Sequence, residues 1–285
     1  MMNRLMDPAV PVIIFFLTFS PALWSVAGDI ERKEVCDREL VRYRCRLPDS
    51  QTVRWEGERR VKRLMDAPPD SYTASYREEG IFGDENRKEC RLIESRFTLT
   101  GGQLAPLRSR ETIRDQAGEV VNTLEITFDR ERGEVRTQTV SGRGGIIRSD
   151  RFTLEPRMVY TQELWLLLRS FPFPRPGRED GEMTCEILTG KPASYSLLIQ
   201  YDGREDVTTP AGTFSCHRLR MIPDLGVLTW LGKLAAPTIY LWFTIEPPHH
   251  WIRYAGPESG PGTPEVVIET IEIAEKPVPC LTTEQ

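Results

Sequence analysis

Three histidines and six cysteines are the side chains of this 285-residue chain best suited to metal or nucleophilic chemistry. His249 and His250 are adjacent, and neighbours on a strand point to opposite faces. Both could bind one ion only if the chain bends there, and Pro247-Pro248 could bend it, with Glu246 as the nearest carboxylate. The expectation is a surface loop and no metal. Ser215-Cys216-His217 sets a thiol beside an imidazole, but strand neighbours diverge. Cys216 is therefore expected to be a disulfide partner or a buried thiol. The sequence has no G-x-S-x-G elbow and no CxxC, and no carboxylate pair stands out by spacing. The chain reads as a non-enzyme without a cofactor.

Compartment comes from the other cysteines and the first residues. Arg4 precedes an apolar run from Pro8 to Leu23, and Ser25-Val26-Ala27 offers a signal-peptidase site. The run is short for a membrane span, and Pro8, Pro11 and Pro21 weaken it as a helix. The expectation is a cleaved signal peptide over 1–27 and a periplasmic protein. An even set of Cys36, Cys45, Cys90, Cys185, Cys216 and Cys280 in an exported chain predicts disulfides, with Cys36–Cys45 the easiest pair to propose. The formal net charge of −5 argues against a nucleic-acid partner.

The elements that would position these residues are mostly strands. Residues 28–70 read as a charged N-terminal extension, with a helix over Val53 to Met65 and Arg54, Arg59, Arg60, Lys62 and Arg63 on a solvated face. Pro68-Pro69 marks a domain boundary. From 71 to 276 the pattern is period two. Leu107–Arg114 and Val120–Phe128 form a hairpin around Asp115-Gln116-Ala117-Gly118, with Arg–Glu pairs across the ladder. Gly142–Gly145 is a loop without a phosphate-binding lysine. Thr161–Phe171 is the best helix, stopped by Pro172. Residues 277–285 form a surface tail. The fold class is all-β with one or two short helices, a curved antiparallel sheet closing toward an open β-barrel.

The second half resembles the bacterial exported family called domain of unknown function 3108 (DUF3108). The similarity rests on Asp206-Val207-Thr208-Thr209-Pro210-Ala211-Gly212-Thr213-Phe214 followed by Arg218-Leu219, then Tyr240-Leu241-Trp242-Phe243 and a closing strand. The helix from Glu163-Leu164 to Phe171-Pro172 is also similar to that family's central helix. The resemblance spans roughly residues 70 to 275. It implies a curved antiparallel sheet in the cell envelope and brings no catalytic residues with it. Glu246-Pro247-Pro248-His249-His250 departs from the usual turn after the tryptophan strand.

The strongest functional feature is apolar. Between Met221 and Phe243 the only charges are Asp224 and Lys233. Loops normally meet water, so a connection this apolar asks for a covering. It could pack over an open end of the sheet, line or lid a pocket for a lipid, or dock a protein or membrane. Leu225, Leu228, Trp230, Leu231, Leu234 and Trp242 are the expected rim or wall of a ligand site, built against the inward face of the sheet. The expected function is non-catalytic binding of a hydrophobic or lipid-like envelope component. The competing reading is a structural or protein-interaction module in envelope assembly, with an envelope protein as its partner and no small-molecule ligand.

Overall fold

The computed structural model describes residues 38–68, 70–83, 87–100, 103–174, 181–189, 194–224, 239–260 and 262–275. Its strands form a single 15-stranded sheet. β1 (Arg38–Arg46) and β2 (Val53–Arg63) lie near the middle of the strand order. A meander then runs to one edge through β3 (Ser71–Phe82), β4 (Arg87–Thr100), β5 (Gln103–Arg114), β6 (Val120–Asp129), β7 (Glu134–Ser141) and β8 (Ile146–Thr153). β9 (Met158–Tyr160) forms the other edge. From there β10 (Glu182–Leu188), β11 (Ser194–Thr209), β12 (Gly212–Asp224), β13 (Ile239–Thr244), β14 (Trp251–Pro257) and β15 (Glu265–Glu275) return to the centre.

β15 pairs with β1 from Glu39↔Glu275 to Arg46↔Val267, so the first and last strands are neighbours. Every ladder is antiparallel except β9–β10. β8 and β9 do not pair with each other, and the sheet curls without closing. The curl brings β9 over β5, where the Tyr160 hydroxyl donates to Glu111 at 2.6 Å. This is the all-β, open-barrel class that the period-two pattern predicts.

Alternation sets the inward face. Val41, Tyr43 and Cys45 of β1, Tyr72, Ala74 and Tyr76 of β3, Ile93 and Phe97 of β4, and Leu124, Ile126 and Phe128 of β6 join one core. That core is filled from within by a short helical segment. A 3₁₀ turn at Thr161–Glu163 leads into α1 (Leu164–Leu167), and a second 3₁₀ turn covers Leu168–Ser170. Leu164 through Phe171 are all buried. A helix that is buried all round must be apolar all round. Here Leu164-Trp165-Leu166-Leu167-Leu168 meets that demand, and Pro172 ends it.

The N-terminal part differs from the sequence expectation. Residues 53–63 form β2, not a helix. Trp55, Arg59 and Val61 are buried in alternation, a period that the run of charges conceals. Gly57 completes the inward row because the Tyr43 ring lies there; a Cβ on Gly57 would come within 2.4 Å of that ring. The β2–β3 ladder from Trp55↔Gly80 to Arg63↔Tyr72 also spans the proposed boundary at Pro68-Pro69. The charged segment is thus not an extension but part of the sheet's centre.

Candidate functional site

The interior was expected to form the wall of a pocket, and the residues found there are mutually engaged. Arg169, at the end of the helical segment, makes a bidentate ion pair with Glu39 of β1, both bonds 2.8 Å. Both side chains are essentially inaccessible. Arg59 lies flat over the Trp165 ring, 3.2 Å from its centroid, and 3.5 Å from the Glu39 carboxylate. Trp165 Nε1 donates to the Tyr76 hydroxyl, which donates to the Gln162 carbonyl. Glu163 accepts from Ser109 Oγ at 2.5 Å and from the Tyr160 amide at 3.2 Å. Tyr43 donates to Glu78 at 2.9 Å.

These contacts set the charge states. Burial pushes the Glu39 carboxyl up, but the Arg169 and Arg59 guanidiniums outweigh it and bring its pKa down to about 2. Glu78 lacks a comparable guanidinium partner, and burial raises its pKa to about 7 despite the hydroxyl bond. The helical segment is therefore bolted to β1, β3 and β5 by polar groups inside an apolar shell. Most of these polar groups are paired with one another, while Arg59 Nε and Nη2 make no hydrogen bond and the guanidinium rests on the Trp165 ring and the Glu39 charge.

The histidines do converge, but not the adjacent two. His217 and His249 lie 6.0 Å apart between ring centroids, with Phe173 against both at 4.4 Å. His249 sits at φ 55° in the turn after β13, and its Nδ1 lies 2.9 Å from the Thr244 carbonyl. Burial lowers the His217 pKa to about 4, with His249 adding to the effect. Among the described residues, no group of three or more His, Cys, Asp or Glu side chains is placed to hold a metal ion. Phe173 was not singled out from the sequence; the Phe171-Pro172-Phe173-Pro174 alternation that ends the helical segment was the available signal.

Cys45, Cys90, Cys185 and Cys216 are free thiols. They sit on β1, β4, β10 and β12, no two of which are neighbouring strands, and their ladder partners are other residue types. Strand spacing of about 4.8 Å makes bridging between non-neighbours along the sheet unreachable. Disulfides among these four cysteines, which the even count suggested, are not formed; the suggested Cys36–Cys45 pair involves a residue outside the described ones. Cys36 and Cys280 lie outside the described residues.

Of the six proposed ligand-contacting residues, Leu225, Leu228, Trp230, Leu231 and Leu234 also lie outside the described residues. Trp242 is described, and it faces away from the core. It packs with Val207, Cys216 and Ile252 in a second, smaller cluster. The β11–β12 hairpin contributes Val207 and Cys216 to this cluster and Glu205, whose carboxylate accepts from Trp242 Nε1 at 2.6 Å. Arg253 holds the same hairpin through the Thr208 carbonyl at 2.6 Å.

Topology collects exposed apolar side chains at one end of the sheet. The 225–238 connection leaves β12 after Asp224 and enters β13 at Ile239. The same end of the sheet holds the β1–β2 turn and the starts of β2, β6, β8 and β11. Among the described residues, six of the eight exposed large hydrophobic side chains occur there: Leu47, Val53, Val121, Ile146, Ile147 and Tyr195, with Met65 and Leu107 elsewhere. Glu258 braces this end. It accepts from the Gly83 amide at 2.6 Å and Trp55 Nε1 at 2.8 Å, with Arg54 beside it.

A family model described as protein of unknown function (DUF3108) matches residues 80–254, more than half of the chain. The chain belongs to the DUF3108 family. Its membership confirms the resemblance carried by the Thr209-Pro210-Ala211-Gly212 turn and the tryptophan strand. A crystal structure of a β-barrel-like protein of domain of unknown function DUF1849 from Brucella abortus shares the fold. It has a TM-score of 0.51 at 6% identity, covering 85% of the DUF3108 chain and 99% of its own. A Bacteroides fragilis protein with a YmcC-like fold is less similar, with a TM-score of 0.34 at 9% identity over 83% and 95% of the two chains. No curated protein matches the sequence.

Proposed function

We propose that this DUF3108 protein is a non-catalytic component of the cell envelope that holds a hydrophobic or lipid-like molecule at the apolar end of its sheet. The observation that carries the reading is the gathering of Leu47, Val53, Val121, Ile146, Ile147 and Tyr195 at the end that also bears the apolar 225–238 connection. Exposed apolar side chains scattered singly need no explanation, but a bias to one end does. The filled interior supports capture at the end rather than inside: Glu39–Arg169 and the helical segment occupy the space that a hollow carrier would leave for cargo. The signal-like residues 1–27 support an exported, periplasmic location.

Native mass spectrometry of the protein purified from its own cells, with organic extraction, tests this. A co-purifying lipid or isoprenoid is the expected result. A clean apo mass, with no uptake of an added fluorescent fatty acid, would overturn it. A second reading, an interaction module, is favoured by one observation. Among the described residues β8 pairs only with β7, and it carries the exposed Ile146 and Ile147, so its outer edge could accept a partner strand.

A further inference from the structure

The opposite end of the sheet carries a cleft of different character. It has a volume of about 320 Å³, and it is lined by Arg38, Leu40, Arg60, Lys62 and Ala274 together with the inward-pointing Glu39 and Val61. Register explains the grouping. Arg38 is opposite Lys62, and Leu40 is opposite Arg60 on one side and Ala274 on the other. Glu39 and Val41 point inward, so Arg38 and Leu40 point outward with their ladder partners.

Elsewhere on the outer face many arginines meet carboxylates, although like charges also stand opposite each other at Arg96↔Arg108 and Arg136↔Arg151. Arg42 lies between Glu58 and Glu272, at 3.1 and 2.9 Å. Arg108 and Arg110 share Glu125, and Arg218 binds Asp202 and Glu205. At the cleft two cations face each other directly, an arrangement that is destabilising on its own. Arg60 has a carboxylate partner, Glu58 at 2.6 Å. Among the described residues Arg38 and Lys62 have none.

We propose that this cleft seats the phosphate head group of an anionic lipid and so docks this end of the sheet on a membrane surface. Charge complementarity selects the phosphate, and the Leu40–Ala274 floor suits the apolar start of the same molecule. The whole chain is acidic, with a formal net charge of −5, so attraction to an anionic surface must come from a local cluster. This inference concerns the end opposite the one assigned to hydrophobic capture and does not depend on it.

The test is co-sedimentation of the purified protein with vesicles of phosphatidylcholine alone or with added phosphatidylglycerol. The wild-type protein should prefer the anionic vesicles. The double variant Arg38→Glu/Lys62→Glu should lose that preference by at least about tenfold. The control Arg143→Glu/Arg151→Glu, with the same change in net charge on exposed residues elsewhere, should keep it. Circular dichroism and fatty-acid uptake unchanged in the cleft variant would separate this loss from unfolding or from failure of the apolar end. Two outcomes would overturn the proposal: no preference in the wild type, or equal loss in the control.

Discussion

Glu78 and His217 are buried ionisable side chains whose folded states resist ionisation in opposite directions. Glu78 has its pKa raised from 4.5 to about 7, so its contribution to stability is complete below the ordinary carboxyl range and is lost as pH rises through about 7. His217 has its pKa lowered from 6.5 to about 4, so its contribution is complete above 6.5 and is lost as pH falls toward 4. The two slopes oppose each other across mildly acidic pH. We expect Glu78→Gln to leave the His217 slope exposed, with the melting temperature falling as the protein is acidified from 6.5 to 4. His217→Asn should leave the Glu78 slope, with the melting temperature falling as pH rises from 4.5 to 7. Thermal melts across that range check both, and parallel curves for wild type and variants would contradict the assignment. Little of this was legible in the sequence. Arg59 reads as one more charge in a solvated run, and only the strand register shows that it points inward while Arg60 and Lys62 point out.

The helical segment 161–170 and strand β1 depend on each other through Glu39 and Arg169. Removing one member of a buried ion pair leaves the other charge uncompensated, which costs about 3–5 kcal/mol. Arg169→Met, which leaves Arg59 facing Glu39, should destabilise the protein less than Glu39→Gln, which strands both guanidiniums. Urea unfolding checks the order, and equal or reversed losses would show that Glu39 is not the tie between segment and sheet. The segment itself was legible from its leucines and Pro172, and the central hairpins from their period-two pattern and turn residues. β2 was not, because charged residues occupy most of its outward positions and Arg59 one inward position. β8 was missed as well: Ile146-Ile147-Arg148-Ser149-Asp150-Arg151 does not alternate, as suits an edge strand with most of its residues exposed.

At the scale of the whole molecule, the chain enters and leaves through paired central strands, and its two edges fail to meet. The sequence pointed to a curved sheet closing toward a barrel, and the architecture is that curved sheet with its seam open between β8 and β9. The sequence also placed the ligand wall on the inward face. Period-two alternation says which side chains share a face but not what fills the space they enclose, and here the helical segment fills it. Trp242 illustrates the same limit: its strand was recognisable, whereas its outward direction and its cover by the β11–β12 hairpin arise from tertiary folding. What survives at this scale is polarity between the two ends, one gathering exposed apolar side chains and the other bearing Arg38, Arg60 and Lys62. The central claim, capture at the apolar end rather than in the interior, is tested most directly by photo-crosslinking. A fatty acid carrying an aliphatic diazirine would be incubated with the protein, irradiated, and its adducts mapped by peptide mass spectrometry. Capture at the apolar end predicts adducts in residues 225–238 and at Leu47, Val53 or Tyr195. Adducts concentrated at interior positions such as Leu166 or Ile199 would contradict it.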